Sequence, residues 1–151
     1  MVKIKITSIG KLHYRELYET SKRFEMMISR FAKVKIIELS ESKKPFPKNL
    51  EEEQEMIMKT LESEFLIVLD KDGKLMSSEE FAELIKANID LGRNICFVIG
   101  GHQGVSEQLK SKADAVISFS KMTFGHNIFR IMLLEQIYRA FSIIFGTGYH
   151  K

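Results

Sequence analysis

Tryptophan is absent from this 151-residue chain, cysteine occurs once and proline twice. Each scarcity excludes something. A single cysteine cannot close an internal disulfide and is no metal site by itself. Cys96 stands inside the apolar run ICFVIG and reads as a buried, inert thiol. Both prolines fall in KKPFPKN, so residues 40–49 form a loop. No run reaches the roughly 18 apolar residues of a membrane span. The opening MVKIKITSIG alternates apolar and polar residues and lacks the continuous apolar stretch of a secretion signal, so a cytosolic protein is expected. Repeats, low-complexity tracts and linkers are missing too, which points to one domain over residues 1–151. Acid is scarce near the end: from Ala115 onward the charged side chains are Lys121, Arg130, Arg139, Lys151 and Glu135. That bias either steers an anionic partner or is a surface accident, because a net charge of +3 announces no nucleic-acid binder.

What is present is an alternation of apolar runs and helical patterns. Strands are expected at 3–9, 34–39, 65–70, 95–99 and 115–120, with helices at 14–31, 50–62, about 78–91, 106–111 and 126–145. Ser77 or Ser78, with Glu79 and Glu80 after it, marks a helix start. Five strands, several continuously apolar, separated by helices predict an α/β fold with a mainly parallel sheet covered on both faces. The last helix carries two apolar stripes, Phe129–Leu133–Ile137–Ala140–Ile144 and Ile131–Leu134–Tyr138–Phe141–Phe145. One sheet face cannot cover both, so a homodimer is the expected way to hide the surplus.

In open parallel sheets ligands bind beyond the carboxyl ends of the strands. Two segments there stand out. VIGGHQG places Gly100 and Gly101 just past a buried strand, where glycine lets backbone approach a ligand. It matches neither dinucleotide nor triphosphate signatures, and on its own is an ordinary strand-to-helix turn. SFSKMTFGHN mixes hydroxylic, apolar and glycine residues and could wrap an adenine, with His126 either orienting a substrate or serving as a structural cap. The tail GTGYHK is either a frayed terminus or a base-stacking, phosphate-gripping group.

Taken together, VIGG followed by a glycine, SFSKMTFGH, R-x-x-L-x-E-Q-x-Y-R-A-F and the terminal YHK resemble the RlmH family. KIKITSIGK, the LD and GK pairs of 69–74 and SSEEFA agree in order and spacing. Members of that family are large-subunit ribosomal RNA pseudouridine N3-methyltransferases of the SPOUT class. The resemblance implies a C-terminal trefoil knot and a homodimer. It also implies S-adenosyl-L-methionine (SAM) held by Leu69, Gly100, Gly101, Phe119, Ser120, Lys121, Met122, Thr123 and Phe124. His126, Arg139, Tyr149 and His150 become the candidate catalytic groups, and Arg139 and Lys151 the RNA contacts. The substrate it implies is a pseudouridine near the decoding region, reached on assembled ribosomes, with neither metal nor membrane involved. Two positions depart from the family: Gly125 stands where proline is common, and Lys151 where arginine is frequent, which keeps the charge but loses the bidentate fork. The alternative in another class is a non-catalytic ribosome-binding or assembly factor. A receiver-like domain is disfavoured, because SIGKLH lacks an acidic cluster after the first strand.

Overall fold

A computed structural model describes residues 1–151. The chain alternates β1 (Lys3–Ile9), α1 (Arg15–Ile28), β2 (Lys33–Leu39), α2 (Lys48–Met58), β3 (Phe65–Leu75), α3 (Ser78–Asp90), β4 (Ile95–Ile99), α4 (Glu107–Lys112), β5 (Ala115–Ser118) and α5 (His126–Phe145). All strands are parallel, in the order β2-β1-β4-β3-β5.

The sheet is dry on both faces because alternate strand residues feed two cores. Ile4, Ile6, Ile67, Ile95 and Phe97 pack with Ile28, Phe81, Ile85, Leu133 and Ile137 under α1, α3 and α5. Ile9, Leu66, Val68, Cys96 and Val98 pack with Ile57 and Leu109 under α2 and α4. Burial drives the Cys96 thiol up to about 11, so it stays protonated and inert. Exposed Lys33 and Lys35 lie on the edge strand β2, where lysine discourages further pairing.

Helix boundaries follow local chemistry. Ser77 caps α3: its Oγ accepts from the Glu80 amide at 3.1 Å while Glu80 Oε1 accepts from the Ser77 amide at 3.0 Å. α1 is shorter than its apolar pattern suggests, ending at Ile28 with Phe31 in the turn beyond. There Phe31 still packs on the last helix, stacked on Phe141 at 5.4 Å and Phe145 at 5.2 Å.

One expectation needs correcting. Residues 71–74, KDGK, lie beyond the strand end expected at Asp70 and before the helix expected from about Ser78, where a plain connection is implied. Instead β3 leaves the sheet after Leu69 and returns, so that Leu69 and Lys74 both pair with Ile117 before Leu75 meets Ser118. Gly73 permits this, since a Cβ there would stand 2.7 Å from the Ile117 carbonyl carbon. Lys110 of α4 pins the start of the excursion through a 2.7 Å ion pair with Asp70.

No helix is long and apolar enough to cross a membrane. No cluster of three His, Cys, Asp or Glu side chains could hold a metal ion.

Candidate active site at the strand ends and along the last helix

Register brings the expected cofactor residues together. Leu69 is paired with Ile99 on one side and Ile117 on the other, so the ends of β4, β3 and β5 lie side by side. Gly100 and Gly101 follow Ile99, and residues 119–124 follow β5. After β5, at the sheet edge, the chain next touches the end of β1 at His126. Residues 119–125 therefore cross over the ends of β3 and β4. Three strand spacings are about 14 Å, well within the reach of seven residues.

This crossing segment is partly self-supported. Ser118 Oγ accepts from the Ser120 amide at 3.2 Å, and Ser120 Oγ from the Met122 amide at 3.0 Å. The amides of Lys121, Thr123 and Phe124 donate to no protein group. Unpaired backbone donors beside converging strand ends are what an adenosyl ligand needs for its ring nitrogens and hydroxyls, so the residues present fit SAM. A cleft of about 330 Å³ opens there between Lys71, Asp72, Gly73, Leu75 and Lys121.

The glycine pair has a structural role of its own. A Cβ on Gly100 would meet the Gly104 carbonyl oxygen at 2.5 Å, and one on Gly101 would meet Ile9 at 2.9 Å and Glu53 at 3.2 Å. Both glycines are required by the chain's own close packing, so a side chain at Gly101 strikes protein before any ligand. Glu53 is itself buried, its Oε2 accepting from the Ser42 amide at 2.9 Å. Burial raises its pKa.

His126, the first residue of α5, turns inward. Its Nε2 lies 3.1 Å from Ser8 Oγ, and its ring fills the space where a Cβ on Gly10 would sit, 3.1 Å away. Burial, then the charge of Arg130, lowers its pKa, which favours the neutral ring. One turn on, Arg130 is 3% exposed and pairs with Glu38 Oε2 at 2.7 Å, while its Nε and Nη1 find no partner. His126 thus fastens the start of α5 to β1.

The tail is not frayed. Ser142 is 2% exposed, and its hydroxyl collects Thr147 Oγ1 at 2.8 Å, the Tyr149 amide at 3.0 Å and the His150 amide at 3.3 Å. Gly146, with φ +64°, turns the chain back along α5. Tyr149, His150 and Arg139 consequently gather around Glu135. Tyr149 Oη donates to Glu135 Oε1 at 3.1 Å, Arg139 Nε donates to the same atom at 3.0 Å, and Arg139 Nη1 lies 3.1 Å from His150 Nδ1. The guanidinium covers the Tyr149 ring at 4.9 Å. Lys151 is exposed beside them.

The four candidate catalytic residues therefore form two groups. Arg139 follows His126 by thirteen helical residues, a rise of about 20 Å. Arg139, Tyr149 and His150 meet; His126 in the same protomer is elsewhere.

Residues 2–150 match the family model described as "Predicted SPOUT methyltransferase". The chain belongs to the SPOUT methyltransferase family. It is 43% identical over 153 residues to the "Ribosomal RNA large subunit methyltransferase H" of Caldicellulosiruptor bescii, covering 98% of this chain and 99% of that protein. Identity is 44% over 158 residues, with the same coverage, to the protein of that name from Clostridium botulinum strain Okra. The fold matches a probable methylase family protein from Haemophilus influenzae at TM-score 0.58 and 14% identity, covering 98% of this chain and 70% of that one. It also matches a probable methyltransferase from Bordetella pertussis at TM-score 0.58 and 9% identity, covering 92% and 94%.

Several residues that shape the site of this SPOUT chain escape a reading of the sequence. Ser142 lies mid-stripe in an apolar helix and gives no signal of its anchoring role. Glu135 is conspicuous only as the lone acid after Ala115. Glu53 is hidden among the acids of α2, and Gly73 within an apparent turn.

Proposed function

We propose that this methyltransferase moves the methyl group of SAM to N3 of a pseudouridine in large-subunit ribosomal RNA, on assembled ribosomes in the cytosol. The observation that carries this reading is the convergence of the β3, β4 and β5 ends beneath a crossing segment in which the amides of Lys121, Thr123 and Phe124 are unpaired. The names borne by the full-length relatives supply the RNA.

In this reading Leu69, Gly100, Gly101 and residues 119–124 hold the cofactor, which supplies an electrophilic methyl sulfonium. The protein's work is positioning and charge stabilisation. N3 of the target lies between two carbonyls, so loss of its proton to solvent water spreads negative charge onto both oxygens. Arg139 commits one hydrogen of each terminal nitrogen to His150 and Glu135, and the other hydrogen of each remains for that anion. Tyr149, 38% exposed, offers a ring to a base. Lys151 offers charge to phosphate.

The working unit is a homodimer whose C-terminal third is knotted. An apolar groove of about 400 Å³ between α1, α3 and α5, lined by Leu17, Phe24, Phe81, Ile128, Ile131 and Met132, supports the dimer. Ile128 is 54% exposed and Tyr18 53%, and a second copy would cover such a surface.

The test is transfer of labelled methyl from SAM to ribosomes from a strain lacking the enzyme, followed by a mass map of the RNA. Label at a single pseudouridine is expected. Ribosome binding without SAM affinity in calorimetry would replace this reading with that of a non-catalytic assembly factor.

A further inference from the structure

The side chains around the folded-back tail form one chain of hydrogen bonds whose direction is fixed by chemistry. A guanidinium only donates, so where Arg139 Nη1 meets His150 Nδ1 at 3.1 Å the imidazole nitrogen must offer its lone pair. A carboxylate only accepts, so His150 Nε2, 2.9 Å from Glu79 Oε1, must carry the hydrogen. Both ring nitrogens are engaged, in the neutral Nε2–H tautomer; a second proton on Nδ1 would point N–H against N–H. Tyr149 is also spent, its hydroxyl donating to Glu135 Oε1. Glu135 Oε2 accepts from Gln136 Nε2 at 3.0 Å, and Gln136 Oε1 from Ser78 Oγ at 2.8 Å, which ties α5 to the start of α3.

We propose that Glu135 and Glu79 are positioning residues that lock His150 as the Nε2–H tautomer and aim Arg139. Arg139, rather than His150 or Tyr149, then meets the charge developing on the target imide. The inference rests on the methyltransferase reading for its purpose but not for its geometry. Glu135 holds the guanidinium plane, and Glu79, at the first turn of α3, holds the far side of the imidazole. With both nitrogens occupied, His150 is a relay between Arg139 and α3 and takes no proton from substrate. Neither glutamate touches RNA; each acts through the residue it orients.

Two measurements test this. In protein carrying ¹⁵N-labelled histidine, long-range ¹H–¹⁵N spectra at pH 8 should show His150, assigned through His150→Gln, as a single tautomer. Its Nε2 should bear hydrogen and its Nδ1 should be bare. In the double variant Glu79→Ala with Glu135→Ala the same residue should relax to the averaged tautomers of exposed His13. Averaging already in the unsubstituted chain, an Nδ1–H signal, or a His150 spectrum untouched by the double substitution would overturn the proposal. In methyl transfer to ribosomes, Glu135→Ala should lower kcat by about 100-fold, with KM and SAM affinity within about twofold. Glu135→Gln, whose amide oxygen still accepts from Arg139, should restore part of the loss. A raised KM at unchanged kcat would make Glu135 a binding group and sink the positioning role. If the tautomer is locked yet the unsubstituted chain labels no RNA, the function reading fails and the network stands.

Discussion

The two ends of α5 are fastened by opposite means. At its start the polar groups turn into the fold: His126, half buried, against Ser8 and Gly10, and Arg130, buried, with Glu38. At its other end one buried hydroxyl, Ser142, holds the backbone of the tail, and the side chains it gathers stay half exposed. A polar group spent on partners within the fold, as buried Arg130 is and half-buried His126 is in part, serves first to hold the helix in place. A gathered, accessible set serves chemistry. The contrast separates His126, expected to be catalytic, from Arg139, Tyr149 and His150.

The largest effect should come from breaking the start of α5. Glu38→Ala strands a guanidinium that is 3% exposed and already lacks partners for two of its nitrogens. Uncompensated buried charge costs about 3–5 kcal/mol, and the partial exposure of Glu38 argues for about 3. Differential scanning calorimetry should show the melting point falling by roughly 10 °C. The double variant Glu38→Leu with Arg130→Met should recover most of that. A double variant no more stable than Glu38→Ala would show that the pair's attraction, not the stranded charge, carries the stability. Acid should act in the same direction. Burial raises the Glu38 pKa, but the Arg130 hydrogen bond, the Leu12 amide and the nearby positive charges outweigh it, so the net shift is downward. Its contribution is complete above 4.5 and is lost as pH falls through the lowered value.

The gathered end should break more gently. Ser142→Ala removes the acceptor shared by the Tyr149 and His150 amides. These can turn to water, so the loss should be about 1 kcal/mol. Hydrogen exchange should then quicken at those two amides and hardly elsewhere, while methyl transfer drops as far as it does on deleting residues 149–151. Preserved transfer with a released tail would make the clasp irrelevant to function.

The strands, the parallel sheet and the Ser77 cap were legible because each rests on local pattern: continuous apolar runs, helical spacing, and serine three residues before a glutamate. The segments after the fourth and fifth strands stood out by the strand-end rule, but that residues 69, 100 and 119–124 serve one ligand came from family likeness, since nothing local says that three strands end side by side. That Gly100 and Gly101 are also demanded by packing was hidden for the same reason. A glycine after a strand looks alike whether or not Ile9, Glu53 and the Gly104 carbonyl press against it. The tail was unreadable as structure because its anchor, Ser142, is a small polar residue on an apolar helix.

The finest test of the contrast lies in how His126 responds to acid. Burial, then the positive charge of Arg130, depresses its pKa below the ordinary 6.5, with Glu41 and the Gly10 backbone opposing and His13 reinforcing. The unfolded chain therefore takes up a proton at that position at higher pH than the folded one. Stability should fall as pH drops below 6.5, and this slope should level off once the folded ring also protonates. His126→Gln can still bond Ser8 but cannot titrate, so urea midpoints measured across that range should lose that part of their pH dependence. The effect is the smallest of the three, because the ring is only half buried. Identical slopes in the two proteins would mean that the imidazole is not held neutral against β1, and the contrast between the two ends of α5 would fall.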